Sequence, residues 1–134
     1  MNAYKIPRTI VNQLLAQSQH QPEEETCGLV SQKHGLPQRV YPVDNIAGEK
    51  TSLFEMDPKQ QVEAMKQMRE QGEELFAIYH SHPHAPAQPS QRDLLEAGYP
   101  EALYLIISLD TKGVLDLRGF VLTGKEFEAV KLEI

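Results

Sequence analysis

The chain has 134 residues, a formal net charge of −6 and 40% hydrophobic residues, which suits one domain over residues 1–134 with a single core. With 13 basic against 19 acidic residues and no basic stripe, it argues against a nucleic-acid partner, and no run approaches the roughly 20 apolar residues that a membrane span needs. The one cysteine, Cys27, excludes an intrachain disulfide, and the N-terminus lacks the apolar stretch of a secretory signal, so we expect a cytoplasmic protein.

The first part of the chain predicts one helix followed by strands. Apolar residues recur at helical spacing from about Pro7 to His20, with Pro22 just beyond, so a first helix is expected there. Short apolar runs bounded by turn residues then predict three strands. These strands are expected over residues 25–32, 39–46 and 51–56.

A second helix is expected to begin after Asp57. Asp57 precedes Pro58, and Gln60 follows, which is the pattern of an N-cap, a proline at the first helical position and a capping-box partner. The helix should run to about residue 71, where Gly72 ends it.

The second half of the chain predicts mainly strands around one short helix. The helix is expected over residues 90–98, with Ser90 as its N-cap and Gly98 as its terminator. Residues 126–134 show only loose periodicity and leave their element type open. Strands are expected over residues 75–80, 102–110 and 114–122, the last two joined by a turn at 110–113. The total of about three helices and six or seven strands indicates an α/β or α+β arrangement.

Two histidines end the apolar strand that begins at residue 75. His80 and His82 stand at i and i+2, so on a strand their side chains share one face and can reach one metal ion. Three protein ligands with a fourth open position are typical of a catalytic zinc site, and Asp93 is the natural third ligand. Asp93 is also placed to cap the short helix together with Ser90, so both roles are open for it.

The pattern around these histidines resembles that of the JAMM (MPN-plus) metalloprotease family. That family carries His-Ser/Thr-His-Pro, then Ser and, three residues later, Asp. Residues 80–83 read His-Ser-His-Pro, and Ser90 and Asp93 follow at the family's spacing. The family also carries an upstream Glu three residues before a Gly, and Glu25 stands in that relation to Gly28. Glu23 and Glu24 are near rivals, but the spacing favours Glu25.

The resemblance covers nearly the whole chain and implies a fold and a set of roles. The implied fold is cytidine-deaminase-like α/β, a mixed, mostly antiparallel curved sheet flanked by about three helices. The implied site holds one Zn²⁺ on His80, His82 and Asp93, with Glu25 as the general base for a zinc-activated water. Ser90 would stabilise the oxyanion or cap its helix, or do both. Ser81 points away from the metal on a strand, which implies a supporting or structural role.

The resemblance also implies a substrate. The chain is close to a minimal core, which is similar to the small prokaryotic branch of the family. Members there cleave after the C-terminal Gly-Gly of ubiquitin-like sulfur-carrier proteins, and residues 40–56 are our candidate for contacts with such a tail. Two alternatives remain open: a zinc peptidase or amidase for a small peptide or metabolite, and a non-catalytic MPN scaffold. His84 is expected to lie at the surface, and the sequence leaves the oligomeric state open.

Overall fold

Seven strands form one sheet in the order β1-β7-β6-β5-β4-β2-β3 in the computed structural model, which describes residues 3–90, 93, 98–109 and 116–134. None of the helices in these ranges has the length and apolarity to cross a bilayer. In chain order the elements are β1 (Ala3–Lys5), α1 (Arg8–His20), β2 (Cys27–Lys33), β3 (Leu36–Val43), α2 (Pro58–Glu70), β4 (Glu74–His82), β5 (Leu103–Ser108), β6 (Asp116–Thr123) and β7 (Glu126–Glu133).

The sheet is mixed and mostly antiparallel, as predicted. The pairs β2–β3, β2–β4, β5–β6 and β6–β7 are antiparallel, whereas β1–β7 and β4–β5 are parallel. The predicted hairpin of residues 102–122 is confirmed by the pairing of β5 with β6, although its turn at 110–113 lies outside the described residues. The segment whose type the sequence left open is strand β7.

The two helices contact opposite faces of the sheet. Helix α1 packs its buried residues against one core, which includes Ala77 and Tyr79 of β4. Helix α2 packs against the other core, which includes Ile78. Because side chains alternate along a strand, His80 and His82 share the α2 face with Ile78.

The predicted helices differ from the observed ones in two respects. The N-cap of α2 is confirmed, since the Lys59 amide donates to Asp57 Oδ1 at 2.9 Å, but the capping-box role of Gln60 is wrong. The Gln60 side chain instead donates to Asp44 Oδ2 at 2.7 Å and accepts from the Asp44 amide at 2.7 Å. Of the third predicted helix, Asp93 is helical, while residues 91–92 and 94–97 lie outside the described residues, so the described ranges contain two named helices rather than about three.

The strand predicted over residues 51–56 is wrong, because this segment is a loop with a single bridge between Asn45 and Met56. The Asn45 side chain replaces a strand ladder. Its amide donates to Leu53 O at 2.9 Å, and its oxygen accepts from the Ala47 and Glu55 amides at 2.9 Å each. One half-buried side-chain amide therefore satisfies backbone groups that a neighbouring strand would otherwise satisfy.

Gly28 is required where β2 passes under a tyrosine of β4. A Cβ atom at position 28 would lie 2.6 Å from the Tyr41 carbonyl oxygen and 2.6 Å from Tyr79 Cζ. The Tyr79 ring lies over this position and its hydroxyl donates to Gln17 Oε1. The glycine therefore lets β2, β4 and α1 approach one another closely at a position three residues after Glu25.

We expect Gly28→Ala to lower the free energy of unfolding by about 1–3 kcal/mol, because the added methyl group overpacks a buried contact. Gly48→Ala is the matched control, since no atom lies within 4 Å of its added Cβ. Urea denaturation of both variants measures the difference. Equal stability of the two variants would contradict the packing role given to Gly28.

Candidate metal centre

The two histidines emerge where parallel strands β4 and β5 end together. His80 pairs with Ile106 and His82 with Ser108 in the ladder, and the Leu109 amide donates to the His82 carbonyl at 3.1 Å. Both imidazoles are almost fully buried, and their Nε2 atoms lie 3.0 Å apart. Two ring nitrogens this close cannot both carry a proton directed at the other, so the pair presents at least one free lone pair.

Asp93 contacts both histidines and also caps its helix. Its Oδ2 atom lies 3.2 Å from His80 Nε2 and 3.4 Å from His82 Nε2. The Ser90 amide donates to the same Oδ2 at 2.8 Å, and the Asp93 amide donates to Ser90 Oγ at 3.0 Å. This reciprocal pair is a capping box. Helix capping and metal ligation were the two alternative roles for Asp93. The capping hydrogen bonds orient its carboxylate toward the histidines, so the two roles are compatible.

The three donor atoms fit the spacing of a tetrahedral zinc site. Bonds of about 2.0–2.1 Å at tetrahedral angles place ligand atoms about 3.3–3.4 Å apart, and the observed separations are 3.0, 3.2 and 3.4 Å. Burial lowers the pKa of His80 below its ordinary value, which favours the neutral imidazole that binds metals. Although burial acts to raise the pKa of Asp93, hydrogen bonds from His80, His82 and Ser90 lower it overall. The donor set is thus two imidazoles and one carboxylate anion.

Each histidine ring is held by a neighbour that the sequence did not reveal. His82 Nδ1 donates to the Pro86 carbonyl at 2.9 Å, which leaves the lone pair on Nε2. The ring of Phe54 stacks on His80 with centroids 4.4 Å apart and planes 19° from parallel. The Ser108 hydroxyl donates to the Ala85 carbonyl at 2.7 Å and so fixes the proline-rich loop.

Glu25 is the upstream carboxylate that reaches this cluster. It is buried, and its ligand atom and those of His80 and His82 lie within 4.8 Å of one another. Its amide donates to Lys50 O at 2.6 Å, and Asn45 Nδ2 donates to its carbonyl at 2.9 Å. Burial raises the pKa of Glu25 to about 7, although His82 opposes the shift. A carboxyl group in this range can accept and return a proton near neutral pH.

The rival acidic residue Glu23 has a different partner. Glu23 Oε2 lies 3.0 Å from His84 Nε2, and both side chains are mostly exposed. His84 thus lies at the surface, with a carboxylate partner outside the buried cluster. The single cysteine, Cys27, is buried in the sheet beside Val43, away from any exposed position where a thiolate would be favoured.

Ser81 fastens the end of β4 to the residue that follows Glu25. It is fully buried on the face opposite the histidines. The Thr26 amide donates to Ser81 Oγ at 2.8 Å, the two hydroxyls lie 3.0 Å apart, and the Ser81 amide donates to the Thr26 carbonyl at 2.9 Å. These bonds set the position of Glu25 relative to the histidines. The role of Thr26 in this junction was not predicted from the sequence. Its position next to Glu25 was the only feature that pointed to it.

Comparisons with known proteins agree with this fold. A family model described as prokaryotic homologs of the JAB domain matches residues 7–118. The crystal structure of a JAB1/MPN domain protein from Archaeoglobus fulgidus superposes with a TM-score of 0.60 at 16% identity, and the alignment covers 100% of both chains. The predicted JAMM/MPN fold class is therefore confirmed.

Two relatives are similar over most of their length. The chain is 32% identical over 128 residues to a probable TtuB-protein conjugate cleaving protease of Thermus thermophilus, covering 95% of this chain and 82% of the relative. It is 29% identical over 115 residues to a desampylase of Haloferax volcanii, covering 84% of this chain and 80% of the relative.

We expect Ser81→Ala to cost about 1–3 kcal/mol of unfolding free energy, because it leaves the buried Thr26 amide without its acceptor. Ser18→Ala is the control: Ser18 is equally buried, but its hydroxyl only donates to the Leu14 carbonyl of its own helix, so a smaller loss is expected. Thermal and urea unfolding compare the two. A loss for Ser18→Ala as large as that for Ser81→Ala would contradict the fastening role.

Proposed function

We propose that this chain, which belongs to the family of prokaryotic homologs of the JAB domain, cleaves peptide or isopeptide bonds after the C-terminal Gly-Gly of a ubiquitin-like sulfur-carrier protein. The observation that carries the proposal is the buried cluster of His80, His82 and Asp93 with Glu25 beside it. The predicted family and the predicted class of JAMM-type metalloprotease are confirmed by the family match and by a relative named as a probable protein conjugate cleaving protease.

His80, His82 and Asp93 are the residues that would hold one zinc ion. A bound zinc ion supplies a Lewis acid for the scissile carbonyl and lowers the pKa of a coordinated water toward about 7. The protein's own contribution is to hold both imidazoles in orientation, His82 through the Pro86 carbonyl and His80 through the Phe54 ring. It also keeps the donors away from bulk water, where competing ligands are abundant.

Glu25 is proposed to move the proton. It would accept a proton as water attacks the carbonyl, and would return that proton to the leaving amine. The raised pKa, about 7, suits both halves of this transfer because the carboxyl group neither holds nor releases the proton too tightly. The hydrogen bonds of the Glu25 amide to Lys50 and of its carbonyl to Asn45 hold the main chain from which its carboxyl group extends.

Ser90 is proposed to donate a hydrogen bond to the developing oxyanion. Its oxygen already accepts from the Asp93 amide at 3.0 Å, yet a hydroxyl that accepts still has its own proton to donate. The capping role and the oxyanion role are therefore compatible in one state. Loss of one such donor typically raises the barrier by about 2.7–4 kcal/mol.

The substrate proposal rests on the resemblance and on what the relatives are named for. The Thermus relative is named for cleaving a protein conjugate, which favours a protein substrate over a small metabolite. Residues 40–56 are proposed to contact the substrate tail, since Phe54 touches His80 and Ile46 is an exposed apolar side chain. A cytoplasmic location remains a prediction from the single cysteine.

We expect the purified protein to bind one equivalent of Zn²⁺, and His82→Ala and Asp93→Ala to weaken binding by more than about 100-fold, because loss of orienting neighbours alone costs about 10–100-fold. His84→Ala is the control, an exposed histidine two residues from the cluster. Competition with a chromophoric chelator measures the affinities. Zinc affinity that falls equally in His84→Ala would contradict the proposed ligand set.

We expect Glu25→Gln to retain zinc and to lower kcat by about 100-fold or more on a carrier protein with an extension after Gly-Gly, because the proton acceptor is lost. Glu24→Gln and Glu23→Gln are the matched controls and should cleave at nearly the unaltered rate. Mass spectrometry of the released carrier locates the cleaved bond. An equal loss of kcat in either control would assign the role of general base to that residue instead. No cleavage of any carrier protein would favour the small-peptide alternative.

A further inference from the structure

A cavity of about 300 Å³ opens beside the candidate metal centre on the α2 side of the sheet. His80 and Asp93 form part of its wall. The volume lies at the lower end of the range for small-ligand sites, and it accommodates one large side chain rather than a nucleotide-sized cofactor. The apolar and aromatic residues that line it include Phe54, Ile78, Tyr99, Tyr104, Ile106 and Phe127.

The polar atoms around the cavity are largely paired with each other. Gln61 Nε2 donates to Tyr99 Oη at 2.8 Å, and Tyr104 Oη donates to the Tyr99 carbonyl at 3.0 Å. Glu55 is exposed at the cavity, so a negatively charged occupant would be repelled by its carboxylate. The wall that an occupant can contact is therefore mainly apolar. Each Å² of apolar surface that binding removes from water contributes about 25 cal/mol to the binding free energy.

The cavity lies on the side of β4 away from the proposed base. Glu25 lies two residues before the start of β2, which pairs with one edge of β4, whereas the cavity is floored by β4 and by β5 on its other edge. Glu25 is not one of the described residues that line the cavity. Because Glu25 must reach the leaving amine to protonate it, the leaving group lies on the β2 side. The acyl half of the substrate then extends over the cavity.

The strand geometry sets which substrate residue reaches the cavity. Ile78 stands two residues before His80 on β4, about 7 Å away at a rise of roughly 3.3 Å per residue. An extended tail that runs back along β4 from the histidines has the same rise, so its third residue from the scissile bond lies over Ile78 when its last carbonyl lies at the histidines. In an extended chain the first and third residues face the same side. The Gly-Gly pair fills the first two places without side chains.

We propose that this cavity is the subsite for an apolar side chain on the residue directly before Gly-Gly in the substrate tail. The inference rests on the proposed function and narrows its substrate class to tails that end in an apolar residue followed by Gly-Gly. A leucine or phenylalanine side chain there would be buried against Ile78 and Ile106. An acidic residue in its place would meet the Glu55 carboxylate.

The first experiment compares peptides acetyl-Xaa-Gly-Gly-Yaa, with Xaa as Ala, Leu, Phe, Asp or Lys and Yaa constant. We expect kcat/KM for Leu to exceed that for Ala by about 10–100-fold, in line with the value of added methylenes in a pocket, and Asp to be the poorest. Gln61→Phe, which narrows the cavity from α2, should reduce the Leu-to-Ala ratio at least fivefold. Gln67→Phe, the same change at an exposed glutamine of that helix, should leave the ratio unaltered.

A binding measurement separates failure of the subsite from failure of the proposed function. The product peptide acetyl-Leu-Gly-Gly is added to zinc-supplied protein with labelled isoleucine methyl groups. We expect shifts at Ile78 and Ile106 but not at Ile10, which is buried on the α1 face. Shifts specific to the Leu peptide without any cleavage would uphold the subsite and overturn the cleavage reaction. Equal cleavage of all five peptides, a preference for Lys, or no shifts at Ile78 and Ile106 would overturn the subsite.

Discussion

The junction between the start of β2 and the end of β4 is the constraint on which the site depends. Glu25 and the histidines are more than fifty residues apart in sequence, so no local interaction can set their distance. The Thr26–Ser81 hydrogen bonds and the close approach at Gly28 set it instead. These side-chain contacts lie on the α1 face of the sheet. The α2 face of the same two strands therefore remains available for the site.

The carboxylates in the site differ because their surroundings differ. Asp93 accepts a hydrogen bond from the Ser90 amide of its own helix cap and lies beside two imidazoles, and these neighbours stabilise its anion and lower its pKa. Burial dominates for Glu25 and raises its pKa instead. One carboxylate is thus suited to remain charged as a ligand, and the other to exchange a proton. Opposite shifts of this kind often separate the roles of two acids in one active site.

Local patterns in the sequence predicted the parts of the site that local physics controls. The i, i+2 spacing of His80 and His82 on a strand and the Ser90–Asp93 capping box both follow from backbone geometry. The loop over residues 44–56 could not be predicted in this way, because the Asn45 side chain orders it through contacts with backbone groups far along the chain. Gln60 failed as a capping residue for a similar reason, since Asp44 offered it a better pair of bonds.

The stacking of Phe54 on His80 links two functions that no sequence pattern connects. The ring fixes the orientation of a proposed ligand and at the same time forms part of the wall of the adjoining cavity. A side chain bound in that cavity would pack against the same ring, and so would restrict its motion and that of His80. Substrate binding and ligand geometry would then be coupled through one aromatic contact. Because Phe54 lies in the loop held by Asn45, the order of that loop would affect both.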